Sequence, residues 1–143
     1  MITQKKTVVV NVPVQKIYDY LMDPLSLLEY WPSIIDVRDI QKLPNGGSKF
    51  NFTYKMAGIR LECTSEDTEI IPNHKMVNKS TGGINSILTW TLEPAGGGTK
   101  VDLAVEYNIP IPVIGKLAEA VIVKINEQEA NSVAANIKTH LEA

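Results

Sequence analysis

The chain has 143 residues, of which 44% are hydrophobic and 21% charged, with a formal net charge of -2. That length supports one substantial core, and that balance excludes a disordered chain. The 14 basic residues are scattered apart from Lys5-Lys6, so no basic stripe exists for a nucleic-acid backbone, and the lone Cys63 excludes a disulfide framework or Cys-rich zinc site.

Met1 to Lys6 contains no apolar h-region and no small-residue cleavage site, and no apolar run approaches the ~18 residues that span a bilayer. A cytoplasmic location without a transmembrane segment is the expectation. From about Lys5 to Val12 the β-branched run predicts a strand with Lys6, Val8, Val10 and Val12 on one face. From Val14 to Met22, Ile17, Tyr18 and Leu21 recur at helical spacing. Asp23-Pro24 stops that helix and supplies the N-cap and first position of a second short one, roughly Leu25 to Tyr30. Pro32 biases Trp31 away from the helical region and ends it. Leu25, Leu28 and Trp31 are spaced by three and are expected to turn inward as a plug.

After Ser33 the pattern becomes alternating, broken by Gly, Pro and Asn at short intervals. It predicts six strands: Asp36 to Leu43, Ser48 to Ala57, Ile59 to Ile70, Lys75 to Ser80, Ile84 to Glu93 and Thr99 to Ile109. With the first strand these form one antiparallel sheet, since sequential strands joined by short turns pair with their neighbours. Alternation puts Phe50, Phe52, Tyr54 and Met56 on the covered face, with Ile59, Leu61, Cys63 and Ser65, then Met76 and Asn78. Leu88, Trp90, Leu92, Val101, Leu103, Val105 and Tyr107 share that face. By this assignment the inner face holds no carboxylate, lysine or arginine, which leaves groups suited to orienting a ligand rather than to proton transfer.

The segment from about Val113 to Leu141 predicts one helix about 40 Å long. Its apolar stripe changes face: Ile114, Leu117, Ala118, Val121, Ile122 and Ile125 lie on one side. Gln128, Glu129, Ser132 and Asn136 continue that side, while Ala130, Val133, Ala134, Ile137 and Leu141 are rotated away. Either the helix bends near Asn126 to Glu129, or one half meets a closed core and the other a more open part of the sheet; the second is preferred. No repeat or linker divides the chain, so residues 1–143 are expected to form a single domain of α+β class.

Two stretches carry a family resemblance: Val12-Pro13-Val14-Gln15-Lys16-Ile17-Tyr18-Asp19-Tyr20-Leu21-Met22-Asp23-Pro24 and Tyr30-Trp31-Pro32-Ser33-Ile34, with Gly97-Gly98-Thr99-Lys100-Val101 as the turn into the last strand. In these, and in its element order, the chain resembles the START-like or SRPBCC superfamily, including its polyketide cyclase/dehydrase-type members. The resemblance implies a helix-grip fold, with a seven-stranded antiparallel sheet wrapped around the long C-terminal helix and two short helices between strands 1 and 2. It also implies an apolar cavity for a lipid, polyketide or similar molecule. The motifs are structural and leave function open.

The residues expected to bind such a ligand are Trp31, Phe52, Tyr54, Met56, Leu61, Met76, Asn78, Trp90, Tyr107, Leu117, Val121 and Ile125; each aromatic among them also suits plain core. No catalytic residue, metal or cofactor is assigned. His74 reads as a turn residue, His140 as a last-turn helix residue, and Glu66-Asp67-Thr68-Glu69 as an exposed strand end lacking calcium-loop spacing. The leading expectation is binding or carriage of a small apolar molecule. The alternatives are a cyclase- or dehydratase-like enzyme using a Tyr, helped by Glu129 or Glu62 if they face inward, and a protein-interaction module with a filled core. The oligomeric state is left open.

Overall fold

In a computed structural model, residues 2–56, 58–108 and 119–143 are described, with the side chains of residues 119–122 outside that description. The alternating N-terminal pattern forms β1 (Ile2–Val10), which turns its even-numbered side chains inward and starts three residues before the expected Lys5. Pro13 ends the extended run, and its carbonyl accepts from the amides of Lys16 and Ile17 at 3.1 and 3.4 Å. This opens α1 (Val14–Met22), which buries Ile17.

Asp23 caps the next segment, its carboxylate accepting from the Leu25 amide at 3.0 Å. The chain then makes a 3-10 turn, Pro24–Ser26, before one turn of helix, α2 (Leu27–Tyr30). This turn overturns two of the three expected inward positions, Leu25 and Leu28, and keeps the third, Trp31. In the tighter turn Pro24 and Ser26 are buried, while Leu25 and Leu28 are 51% and 46% exposed; Leu27 and Tyr30 turn inward in their place, beside Trp31.

The remaining strands are β2 (Ile34–Lys42), β3 (Ser48–Met56), β4 (Ile59–Ile71), β5 (Lys75–Gly82), β6 (Asn85–Ala95) and β7 (Gly98–Asn108). All pairings are antiparallel, and the sheet order is β1-β7-β6-β5-β4-β3-β2. Because β1 and β2 are the two edges, α1 and α2 carry the chain from one side of the sheet to the other. The Gly82-Gly83 step is sterically required: Gly82 has φ +104°, and a Cβ there would lie 2.7 Å from the Glu62 carbonyl oxygen.

The last helix, α3 (Glu119–Glu142), runs without a break through Asn126 to Glu129. The expected start near Val113 and the first apolar face, Ile114 to Ile122, lie outside the described residues or side chains. Its C-terminal half meets a closed core: Val133, Ile137 and Leu141 pack with Val10, Ile17, Tyr30, Trp90 and Leu92. A second cluster, around Phe50, Phe52, Tyr54, Met56, Leu61 and Tyr107, occupies the other end of the sheet and meets α3 at Val123. The fold is the seven-stranded helix-grip arrangement, with α3 against the sheet and two short helices between β1 and β2.

Candidate functional site

Between the two clusters the side chains do not close up, and a cavity of about 130 Å³ remains. An apolar cavity of roughly 150 Å³ accepts a benzene-sized guest, so the space matches about one ring. Its sheet wall comes from Phe50, Phe52, Tyr54 and Met56 of β3, Met76 and Asn78 of β5, Leu88 and Trp90 of β6, and Val105 and Tyr107 of β7. Strand alternation aims them there. Pro24, Leu27, Tyr30 and Trp31 form one end wall, and Asn126, Glu129 and Ala130 of α3 cover the space.

Of the twelve residues expected around a ligand, the structure brings eight together on this cavity: Trp31, Phe52, Tyr54, Met56, Met76, Asn78, Trp90 and Tyr107. Leu61 is buried at 6% exposure but does not line it, being absorbed into the cluster behind Tyr54, its partner across β3 and β4. Ile125 is 37% exposed and also does not line it, although it lies one turn before Glu129 on nearly the same face of α3. Leu117 and the Val121 side chain lie outside the described residues.

The expectation of an inner surface without carboxylates is wrong, because Glu129 and Asp67 both line the cavity. Glu129 is 9% exposed and gathers three donors. Trp31 Nε1 donates to its Oε1 at 2.7 Å, the Tyr54 hydroxyl donates to the same oxygen, and the Ser33 hydroxyl donates to Oε2. Asn126 Oδ1 lies 3.3 Å from the Tyr54 hydroxyl, whose single proton serves the carboxylate, the stronger acceptor. Next to this group Gln4 Nε2 donates to the Tyr107 hydroxyl and to the Val123 carbonyl, both at 3.2 Å, tying β1, β7 and α3 together. Burial, reinforced by the Glu129 charge, pushes the Tyr54 phenol far above its ordinary range; burial also raises Tyr107.

Asp67 belongs to the run read as an exposed strand end. The strand β4 runs through it to Ile71, and the inward odd-numbered parity of Leu61, Cys63 and Ser65 continues unbroken to Asp67, the bulge lying just beyond, between Asp67 and Glu69. Its Oδ2 accepts from the Ser48 amide at 2.8 Å and its Oδ1 from Asn78 Nδ2 at 3.1 Å. Ser65 then donates to Asn78 Oδ1 at 2.7 Å. Glu62 stays on the outer face, bonded to Arg38 and Thr53. Cys63 is buried in the second cluster, which raises its thiol, and neither exposed histidine lines the cavity.

Glu129, Asp67, Tyr30, Asn126, Ser33 and Gln4 were not among the residues expected around a ligand. Two had a usable signal: Asp67 shares the odd-numbered parity of Leu61, Cys63 and Ser65, and Glu129 lies one helical turn before Val133 on the side that continues through Ile137 and Leu141. Ser33 and Gln4 carried none, since their roles depend on where α3 comes to rest.

The fold and its partly polar cavity define a helix-grip protein with a candidate site between sheet and C-terminal helix. The chain belongs to the family described as polyketide cyclase / dehydrase and lipid transport, whose model matches residues 1–142. Among solved structures it is similar to TTHA0849 from Thermus thermophilus, at 17% identity over 98% of this chain and 97% of that one, with a TM-score of 0.84. It is also similar to the Zhui aromatase/cyclase from Streptomyces sp. R1128, at 15% identity, 96% and 93% coverage and a TM-score of 0.74. Ara h 8.0201 matches at 18% identity, 98% and 97% coverage and a TM-score of 0.69. At these identities the likeness establishes the fold. No curated protein matches the chain, and among the described residues no helix is long and apolar enough to cross a membrane.

Proposed function

We propose that the chain, acting as one domain, binds or carries a small, largely apolar molecule in the space between the sheet and α3. The observation carrying this reading is an unfilled cavity walled by aromatic and methionine side chains inside an otherwise packed fold. Burial of apolar surface, worth about 25 cal/mol per Å², supplies affinity, and a few fixed polar groups supply orientation. Trp31, Phe52, Tyr54, Met56, Met76, Asn78, Trp90 and Tyr107 are the proposed contacts. Trp31 and Trp90, the only two tryptophans, both line the cavity, so its occupancy has a built-in reporter. Addition of one-ring apolar compounds to protein stripped of retained small molecules should change tryptophan emission saturably and raise the melting temperature. Absence of both effects, with no small molecule retained in native mass spectra, overturns the reading.

A second reading, a cyclase- or dehydratase-like enzyme, is favoured by the buried Tyr54-Glu129 pair. A carboxylate beside a phenol inside an apolar site is a pairing through which protons are moved in general acid and base catalysis. Conversion of a bound cyclisable ketone that disappears in Glu129→Gln, while binding persists, would support it; binding without conversion returns the decision to carriage.

A further inference from the structure

Resting on the binding reading above, we infer that the cavity selects a compact, uncharged apolar alcohol or phenol and discriminates against carboxylates and phosphates. Unused acceptor capacity inside the cavity is the basis. A carboxylate offers about four lone-pair positions. On Glu129 three donors, from Trp31, Tyr54 and Ser33, occupy three of them. On Asp67 two donors, the Ser48 amide and Asn78, occupy two. Among the described residues, acceptor capacity therefore remains on both carboxylates, and both line the cavity.

No lysine, arginine or histidine is present among the described lining residues. Described donors to the two carboxylates, the Trp31 indole, two hydroxyls, one backbone amide and one side-chain amide, are all neutral. An anionic guest would have to shed water beside two carboxylates, with no cation among the described lining residues to receive it, a penalty that grows as the local dielectric falls. A neutral hydroxyl meets the opposite situation, because its proton fills a vacant lone pair in a charge-assisted hydrogen bond while its ring meets the apolar walls. The volume of about 130 Å³ limits the guest to about one ring with a short substituent.

The test is a matched series titrated into the intact chain at neutral pH and followed by heteronuclear NMR: 4-ethylphenol, ethylbenzene and 4-ethylbenzoate. The expected result is dissociation constants about tenfold or more lower for the phenol than for the hydrocarbon, and about tenfold or more higher for the carboxylate. Asp67→Asn and Glu129→Gln, each removing one charge, should narrow the gap between phenol and carboxylate. Equal affinity for phenol and hydrocarbon, or carboxylate binding as tight as phenol, overturns the selectivity and leaves the cavity reading standing. Failure of all three to bind the wild-type chain overturns the cavity reading and the selectivity with it. Because the ranking is measured on wild-type protein, it holds as a test even if either variant fails to fold.

Discussion

The Tyr54 hydroxyl on β3 donates to the Glu129 carboxylate on α3, joining groups 75 residues apart across the cavity. Their interaction should appear as a coupling energy. Glu129→Ala leaves the Trp31 indole, the Ser33 hydroxyl and Tyr54 without their acceptor, and should cost about 2 to 4 kcal/mol in chemical denaturation, with Glu129→Gln costing less. A double-mutant cycle of Tyr54→Phe with Glu129→Gln should give about 0.5 to 3 kcal/mol of coupling. Additivity of the two single effects would show that the hydrogen bond does not hold α3 to the sheet.

Alkaline pH should unfold the chain before its buried tyrosines titrate. Tyr30, Tyr54 and Tyr107 are all raised above 10.0, burial being the leading cause in each. The folded chain therefore holds these protons more tightly than the unfolded chain. Their contribution to stability is fully present below about pH 10 and falls as pH rises above it, because the unfolded form ionises first. Phenolate absorbance from these residues should rise together with the loss of near-ultraviolet circular dichroism. Their titration near pH 10 in a still-folded chain would contradict the burial.

The inverted phase of the segment before Trp31 separates three leucines. Leu27 packs on both apolar clusters, whereas Leu25 and Leu28 are exposed. Leu27→Ala should cost about 2 kcal/mol, and Leu25→Ser or Leu28→Ser should stay within about 0.5 kcal/mol. Thermal melts of the three variants check the order directly.

A methyl group at Gly47 would reach the cavity through Asp67. A Cβ there would lie 2.5 Å from the Asp67 Cβ and 2.8 Å from its Oδ2, the oxygen that accepts from the Ser48 amide. Gly47→Ala must move Asp67 and loosen its bonds, so a loss of about 1 to 3 kcal/mol is expected. Amide exchange at Ser48 should accelerate in the same variant; unchanged protection there would show that Asp67 does not hold that amide.

The sheet was legible because period-two alternation and turn residues are local signals: Phe50, Phe52, Tyr54 and Met56 declare their face without reference to any other strand. Polarity inside the cavity was not legible for the opposite reason. Whether Glu129 faces sheet or solvent depends on the rotation of α3, which is set by Val133 and Ile137 locking into residues of β1, α1 and β6 far away in sequence. Asp67 was misread by composition, since four consecutive polar residues resemble a solvated strand end even though the inward parity of Leu61, Cys63 and Ser65 runs on to Asp67. The Leu25 error is one of facing rather than spacing: residues three apart share a side in a 3-10 turn, and Leu25 and Leu28 do share one, but it is the outer side.

Along α3, Leu141, Ile137, Val133 and Glu129 are rungs of a single ladder spaced by four residues, about 6 Å each. Three rungs are aliphatic and sink into the core; the fourth is a carboxylate, and there the space opens. The depth of the chamber is thus written in one position, and an aliphatic side chain at 129 would extend the solid part of the protein by about one helical turn into the hollow part.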